Sequence, residues 1–264
     1  KSPIRRSIVL KSNVTLRGEG AASVITRPKE RRTTLTKRTT KNRTQVSLEN
    51  TSGLRVGDEI MVSDNPQGGY WARHGIISEI KDGRLNLELL ECDPERAYSP
   101  TDDAYAANYF PALWLPRVSG VTIESLTIDG GTKRHRVSKG NFTNAGVHSR
   151  GSNDIRVLNI NVRNWQADGI GIQGGSGATV SGCIVENSRG PGLHPGTSIT
   201  NNIWSNNISR FNTTDGFFFC LRVTQAVVTG NLLYGNGRCG VANLTDPDRY
   251  NVVANNIIAE NKEH

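Results

Sequence analysis

Three features of the sequence predict an all-β fold, a right-handed parallel β-helix in which the chain winds as a solenoid of about 24 residues per coil. First, a Gly followed by an apolar residue recurs at Gly146-Val147, Gly169-Ile170, Gly192-Leu193, Gly216-Phe217 and Gly240-Val241, at intervals of 23, 23, 24 and 24 residues. Second, two polar columns keep pace with it. One runs Asn159, Cys183, Asn207, Asn231 and Asn256, each followed by Ile or Leu, and the other runs Asn164, Ser188, Asn212, Asn236 and Asn261. Third, the stretches between columns, such as 155–160, 179–184 and 226–233, alternate apolar and polar residues, as a strand with one buried face does. Three short strands per coil use this length, and stacked coils bring equivalent Asn residues into hydrogen-bonding range, about 4.8 Å apart. Cys183 fits its column as a small buried residue.

Composition agrees. The 264 residues include 28 Gly and one Met, and mean hydropathy is −0.45, which suits a turn-rich β protein and argues against a helical bundle. No apolar run reaches the ~18 residues of a membrane-spanning helix. The four cysteines form no CxxC pair, so zinc-finger and thioredoxin-type motifs are absent. The chain opens Lys1-Ser2-Pro3 and closes Glu260 to His264 in mid-coil, which reads as a processed or internal start and as an end that needs further coils, an oligomer or another partner to cover it.

Taken in order, residues 1–45 read as N-terminal coils, with 8–20 carrying the coil pattern. This segment holds 13 Lys or Arg against Glu19 and Glu30, a balance of +11 within a chain total of +8, and could attract a polyanion. Residues 46–97 break the rhythm; their strand-like runs and the Asp82-Gly83 hairpin signal predict an inserted β subdomain. Residues 98–118 form an aromatic loop whose Tyr109 and Trp114 could stack on sugar rings, and 119–264 form the regular coils.

Numbering each repeated strand from its Gly turns the first following residue inward and the second outward, so His148, Gly171, His194, Phe218 and Ala242 share one external face. Position four adds Arg150, Gln173, Gly196 and Cys220. His148 and His194 then lie two rungs apart, about 10 Å between backbones, across a dent at Gly171. An outward His suits general-base work near neutral pH. Asp168 and Asp215, each just before a repeat Gly, form a second candidate pair at a spacing near that of inverting glycosidases, although Asp-Gly is also ordinary turn chemistry. The Gly130–Gly140 insertion carries Lys133, Arg134 and Arg136, cations that could close over an acidic sugar. Asp102, Asp103, Asp246 and Asp248 could hold calcium, without EF-hand spacing, and no other cofactor is indicated.

The Asn columns and the recurring Asp-Gly-Ile/Phe turns resemble the pectate-lyase-like β-helix superfamily, which includes polysaccharide lyases, polygalacturonases, alginate C5-epimerases and phage tailspikes. The stretch Asn212–Gly216 resembles the Asn-Thr-Asp motif of polygalacturonases with one extra residue, and that family's later motifs do not follow. Gly192-Leu193-His194-Pro195 resembles the Tyr-Gly-Phe-Asp-Pro-His strand of alginate epimerases, but His194 and Gly196 replace the catalytic Asp and His, so the resemblance implies only that this strand borders an active groove. The resemblance implies a secreted, periplasmic or cell-surface protein that takes an anionic polysaccharide. The repeat itself implies architecture more than activity; the basic insertion fits uronate C5 proton abstraction best, as in a lyase, on a face made by His148, Arg150, Gln173, His194 and Arg222. A glycoside hydrolase using Asp168 and Asp215 and a non-catalytic tailspike-like binding solenoid are the alternatives. Nucleic acid is disfavoured, because no recognition motif accompanies the basic segment.

Overall fold

A computed structural model describes residues 2–39, 44–64, 72–90, 97–131, 142–244 and 248–263. The chain is a right-handed parallel β-helix. Its first face stacks the strands Ile8–Val9, Leu113–Pro116, Val147–Asn153, Ile170–Ser176, Leu193–Gly196, Phe217–Phe219 and Val241–Asn243. A second face, continuous with it, runs from Thr15–Arg17 to Val252–Ala254, and a third from Val24–Thr26 to Ile257–Ala259. Every pairing within these faces is parallel; Val147 aligns with Ile170, Leu193, Phe217 and Val241, as the Gly columns predict.

The first residue after each repeat Gly points into the lumen, where Val147, Ile170, Leu193 and Phe217 are fully buried. The Gly itself is required by close approach. A Cβ on Gly169 would stand 2.1 Å from Val185 Cγ1 and 2.7 Å from the Gly192 carbonyl oxygen.

Both polar ladders form, one residue away from where their first members were expected. The Cys183 N–H donates to Asn207 Oδ1 at 2.9 Å, and Asn207 and Asn231 repeat the bond to Asn231 and Asn256. The second ladder runs from Ser188 through Asn212 and Asn236 to Asn261. Asn159 and Asn164 belong to neither. Pairing of Asn161 with Ile184 puts Ile160 level with Cys183 and Trp165 level with Ser188. The two Asn occupy the left-handed corner positions just before the ladders, at φ 52° and 53°, which Asn tolerates through its short polar side chain.

Between the first and second coils the chain leaves the solenoid and builds a six-stranded antiparallel sheet, in the order Arg32–Thr34, Tyr105–Ala107, Glu59–Ser63, Ala72–Lys81, Arg84–Leu89, Gln45–Ser47. It therefore takes in Arg32–Thr34 from the segment read as N-terminal coils and Tyr105–Ala107 from the expected aromatic loop, while Leu113–Pro116 is a solenoid strand. One side of this sheet closes its own core of Leu35, Val46, Ile60, Val62, Ile77 and Leu85. The other side presents Glu59, Met61, His74, Tyr105 and Ala107 toward the solenoid. The two bodies are tied together by Asn144 Nδ2 to Met61 Sδ at 3.1 Å, Gln166 Nε2 to the Phe110 carbonyl at 3.1 Å, and the Arg5–Asp58 ion pair at 2.5 Å. At the last coil Val252, Val253, Ile257 and Ile258 are exposed. Among the described residues no helix is long and apolar enough to cross a membrane.

Candidate active site

The first face carries the expected column. Trp114, His148, Gly171 and His194 align across successive strands, with Phe218 and Ala242 following. The face is not open to solvent, as the outward pattern suggested: His148 is 1% and His194 4% exposed. The antiparallel sheet and the turn at Phe142–Asn144 lie over it, and the Phe142 ring sits 6.1 Å from the His148 ring and 6.2 Å from that of His194.

A cleft of about 340 Å³, counting its solvent-open part, lies between sheet and solenoid, lined by Glu59, His74, Leu90, Pro111, Trp114, Thr143, His148 and Arg150. The Trp114 and His148 rings stack nearly parallel, 4.7 Å apart and 8° between planes. Neither nitrogen of His148 has a hydrogen-bond partner among the described residues. Burial, reinforced by neighbours that include the Arg150 guanidinium and His194, holds its pKa well below the ordinary imidazole value. On the opposite wall His74 Nε2 lies 3.0 Å from Thr143 Oγ1, and its Nδ1 lies 3.7 Å from Glu59 Oε1. Glu59 Oε2 accepts the Ser7 N–H at 2.8 Å. Glu59 and His74 were not predicted. Each sits on a strand of an insertion without repeat, so only antiparallel pairing brings them opposite His148.

His194 differs in every respect. Its Nδ1 is 2.5 Å from Asp168 Oδ2. Burial alone would lower its pKa, but the charge and hydrogen bond of Asp168 outweigh it, with a contribution from Cys220, and the value rises to about 9. The ring is edge-on to Phe218 at 5.0 Å. A Cβ at Gly171 would make only ordinary contacts, 3.8 Å to Asp168 Oδ2 and 3.8 Å to His148 Nδ1, so the dent at that position is real but narrow.

The other candidates fall elsewhere. Asp215 is buried and held by both oxygens to Arg238, at 2.9 and 2.6 Å. Asp168 and Asp215 thus each engage a cation of the following rung and do not face one another across a groove. Gln173 is spent within the solenoid. Its Oε1 accepts the Thr197 hydroxyl at 3.2 Å and its Nε2 reaches the His194 carbonyl, filling the space that a side chain at Gly196 would need. Arg222 is exposed at a corner, its Nε donating to Ser198 Oγ at 2.8 Å, and does not line the cleft. Tyr109 is a correction to the expected sugar platform: the ring is 1% exposed, its hydroxyl bonds Glu30, and Arg27 stacks over it. An aromatic loop with Ala and Pro neighbours packs inward because burial of a ring stabilises more than exposure does. Lys133, Arg134, Arg136 and Asp246 lie outside the described residues. Asp248 caps the Val223 N–H, and among the described residues no three His, Cys, Asp or Glu side chains gather as a metal site.

The fold and this face define a solenoid with a roofed lateral cleft. Residues 145–264 match the sequence profile of the family described as the right handed beta helix region. No curated protein matches the chain. Among solved structures, the tailspike protein gp49 of Pseudomonas phage LKA1 is 12% identical, with 88% of this chain and 46% of that one covered and a TM-score of 0.37. The Gp54 tailspike of Acinetobacter baumannii bacteriophage AP22, solved with a capsular saccharide, is 11% identical over 98% of this chain and 62% of that one, at a TM-score of 0.29. The Azotobacter vinelandii mannuronan C-5 epimerase AlgE4 A-module is 13% identical over 50% of each chain, at 0.30. The chain thus spans between 46% and 62% of these proteins, and likeness at this level says nothing of activity.

Proposed function

We propose that the protein is a polysaccharide lyase that acts outside the cell on an acidic, uronate-containing polysaccharide, with His148 as the base. The observation that carries this reading is an imidazole in a cleft whose two nitrogens have no partner among the described residues, kept neutral by its surroundings, beside the Arg150 guanidinium. A base must be unprotonated at working pH, and burial supplies that condition here. A uronate carboxylate placed against Arg150 has its charge neutralised, which acidifies the adjacent C5 proton and stabilises the enolate formed when that proton leaves. A His148 nitrogen takes the C5 proton, the C4–C5 double bond forms, and the C4–O bond breaks. His74, on the facing wall and braced by Thr143, is placed to protonate the departing oxygen. Trp114 fixes the plane of the His148 ring.

The hydrolase alternative has less support, because Asp168 and Asp215 are each neutralised by a cation and leave no free pair to flank a glycosidic bond. The test is a panel of uronic-acid polysaccharides read by the ultraviolet absorbance of the unsaturated product. Wild type should generate it on at least one polymer, and His148→Gln should abolish it while retaining the fold by circular dichroism. Saccharide binding with no product from wild type would establish a binding solenoid instead, and new reducing ends without unsaturation would establish hydrolysis.

A further inference from the structure

The basic N-terminal segment, which the lyase chemistry does not use, brings two of its arginines to one end of the inserted subdomain. The six-stranded sheet closes on itself through an antiparallel bridge between Leu35 and Leu48, so its core is a barrel with two ends. At one end lies a cavity of about 570 Å³, counting its solvent-open part, and it shares no lining residue with the His148 cleft. Ile60 and Ala106 from the barrel core, with Leu54 packed against it, make an apolar floor. Thr33, Asn50 and Ser52 make a polar wall whose parts are tied together: the Asn50 N–H donates to Thr33 Oγ1 at 3.1 Å, and the Ser52 N–H to Asn50 Oδ1 at 2.7 Å. Arg31 and Arg32 complete the lining on the cationic side.

Both guanidinium groups are fixed in place without being neutralised. Arg31 Nη1 donates to the Ser52 carbonyl at 2.9 Å, and the Arg31 main-chain N–H to Asn108 Oδ1 at 2.7 Å. The guanidinium lies directly over Gly53, where a Cβ would stand 2.2 Å from Arg31 Cζ, so only glycine lets it lie there. Arg32 Cζ sits 3.7 Å from the centroid of the Tyr105 ring. Among the described residues neither arginine is ion-paired, and the carboxylate on the cavity wall, Glu30, accepts the Tyr109 hydroxyl. We propose that this cavity is a second saccharide site, which holds a uronate of the polysaccharide without cleaving it; it rests on the proposed function only for the class of polymer. A guanidinium held in one plane pairs with a carboxylate through two parallel hydrogen bonds. The C–H face of the sugar ring suits the Leu54, Ile60 and Ala106 floor, and its hydroxyls suit the Thr33 and Asn50 wall, the combination of apolar lining and few placed polar groups that small-ligand sites use. No histidine lines the cavity, so it binds and does not react. A polymer held there stays near the His148 cleft between turnovers.

The test uses the full chain carrying His148→Gln and Arg150→Ala, which disables the cleft, in affinity gel electrophoresis through polygalacturonate or alginate, with neutral dextran and duplex DNA as comparisons. This protein should still be retarded by at least one uronate polymer and not by dextran. Adding Arg32→Ala or Arg31→Lys should weaken the binding about tenfold in each case, with the circular dichroism spectrum retained. Lysine keeps the charge but loses the planar fork, so the second variant separates a shaped site from a merely cationic surface. Retardation that disappears with the cleft, or that Arg31→Lys leaves intact, would overturn the proposal. Equal binding to duplex DNA would do the same, by showing a general polyanion surface. No turnover is read, so a wild type that yields no unsaturated product would sink the lyase reading and leave this result standing.

Discussion

Replacing Asp168 by Asn removes the charge that keeps His194 protonated but leaves an oxygen to accept the Nδ1 proton. The imidazole stands at about 9 in the folded protein against ~6.5 in an unfolded chain, so the interaction is worth roughly 3 kcal/mol. The folded value is the higher one. The contribution is therefore fully present below about pH 6.5 and disappears as pH rises through about 9, with a slope approaching ~1.4 kcal/mol per pH unit. Cys220 acts in the opposite sense. Burial would raise its thiol, but its other neighbours, His194 foremost, outweigh that and lower the value on folding, so its contribution grows as pH rises and opposes that of His194. The comparison is best made in a Cys220→Ser background, where Asp168, the stronger of the two influences on His194, remains. Urea unfolding at about pH 6, 7.5 and 9.5 should show Asp168→Asn costing roughly 3 kcal/mol at the lowest pH and almost nothing at the highest, once His194 is neutral in both proteins. An equal difference at all three values, or a parent whose stability does not fall between the first and the last, would refute the assignment of His194 as a buried imidazolium.

Asn231→Ala removes four side-chain hydrogen bonds, to the Asn207 N–H and amide, the Trp204 carbonyl and Asn256, and strands the buried Asn207 N–H. At ~1 kcal/mol each, with that donor left unpaired, the denaturation midpoint should report a loss of about 3–4 kcal/mol. Gly169→Ala should destabilise by at least ~2 kcal/mol, because a Cβ there meets backbone at 2.7 Å, whereas Gly171→Ala, with nothing nearer than 3.5 Å, should be neutral or slightly stabilising in thermal unfolding. If His148 is the base, the acid limb of the kcat/KM profile for elimination should fall below the usual imidazole range, since protonation is opposed first by burial and then by neighbours that include Arg150 and the His194 imidazolium.

The solenoid was legible because its evidence is repetitive: each Gly column, each inward apolar residue and each ladder Asn repeats a constraint imposed by the rung beneath. The slip at Asn159 and Asn164 has an identifiable origin. Asn serves both as a ladder residue and as a left-handed corner residue, and one residue separates the two positions. The Gly interval of 23 from Gly146 to Gly169 already conflicted with the 24 that joined Asn159 to Cys183, and that mismatch was the available signal. Alternation placed His148 and His194 on one outer face but said nothing of what covers them. Glu59, His74 and Phe142 reach the face through antiparallel pairing across a long insertion, a contact with no local periodicity to announce it.

Two histidines of the same strand position end up in opposite protonation states because stacking gives each a different neighbour. Below His148 the aligned residue is Trp114, an apolar ring, and no carboxylate bonds either nitrogen among the described residues. Below His194 the aligned residue is Gly171, which leaves room for Asp168 to reach across and pair with the ring. The placement of the insertion separates them further. Because the chain leaves after Val24–Thr26 and returns at Leu113–Pro116, its sheet lies against the early coils, where Glu59, His74 and Leu90 meet His148 in one cleft that His194 does not line. A one-residue slip of the Val147 strand would turn His148 into the lumen and lose the base, whereas the Asp168–His194 pair, built on the following rungs, depends on a different set of register contacts.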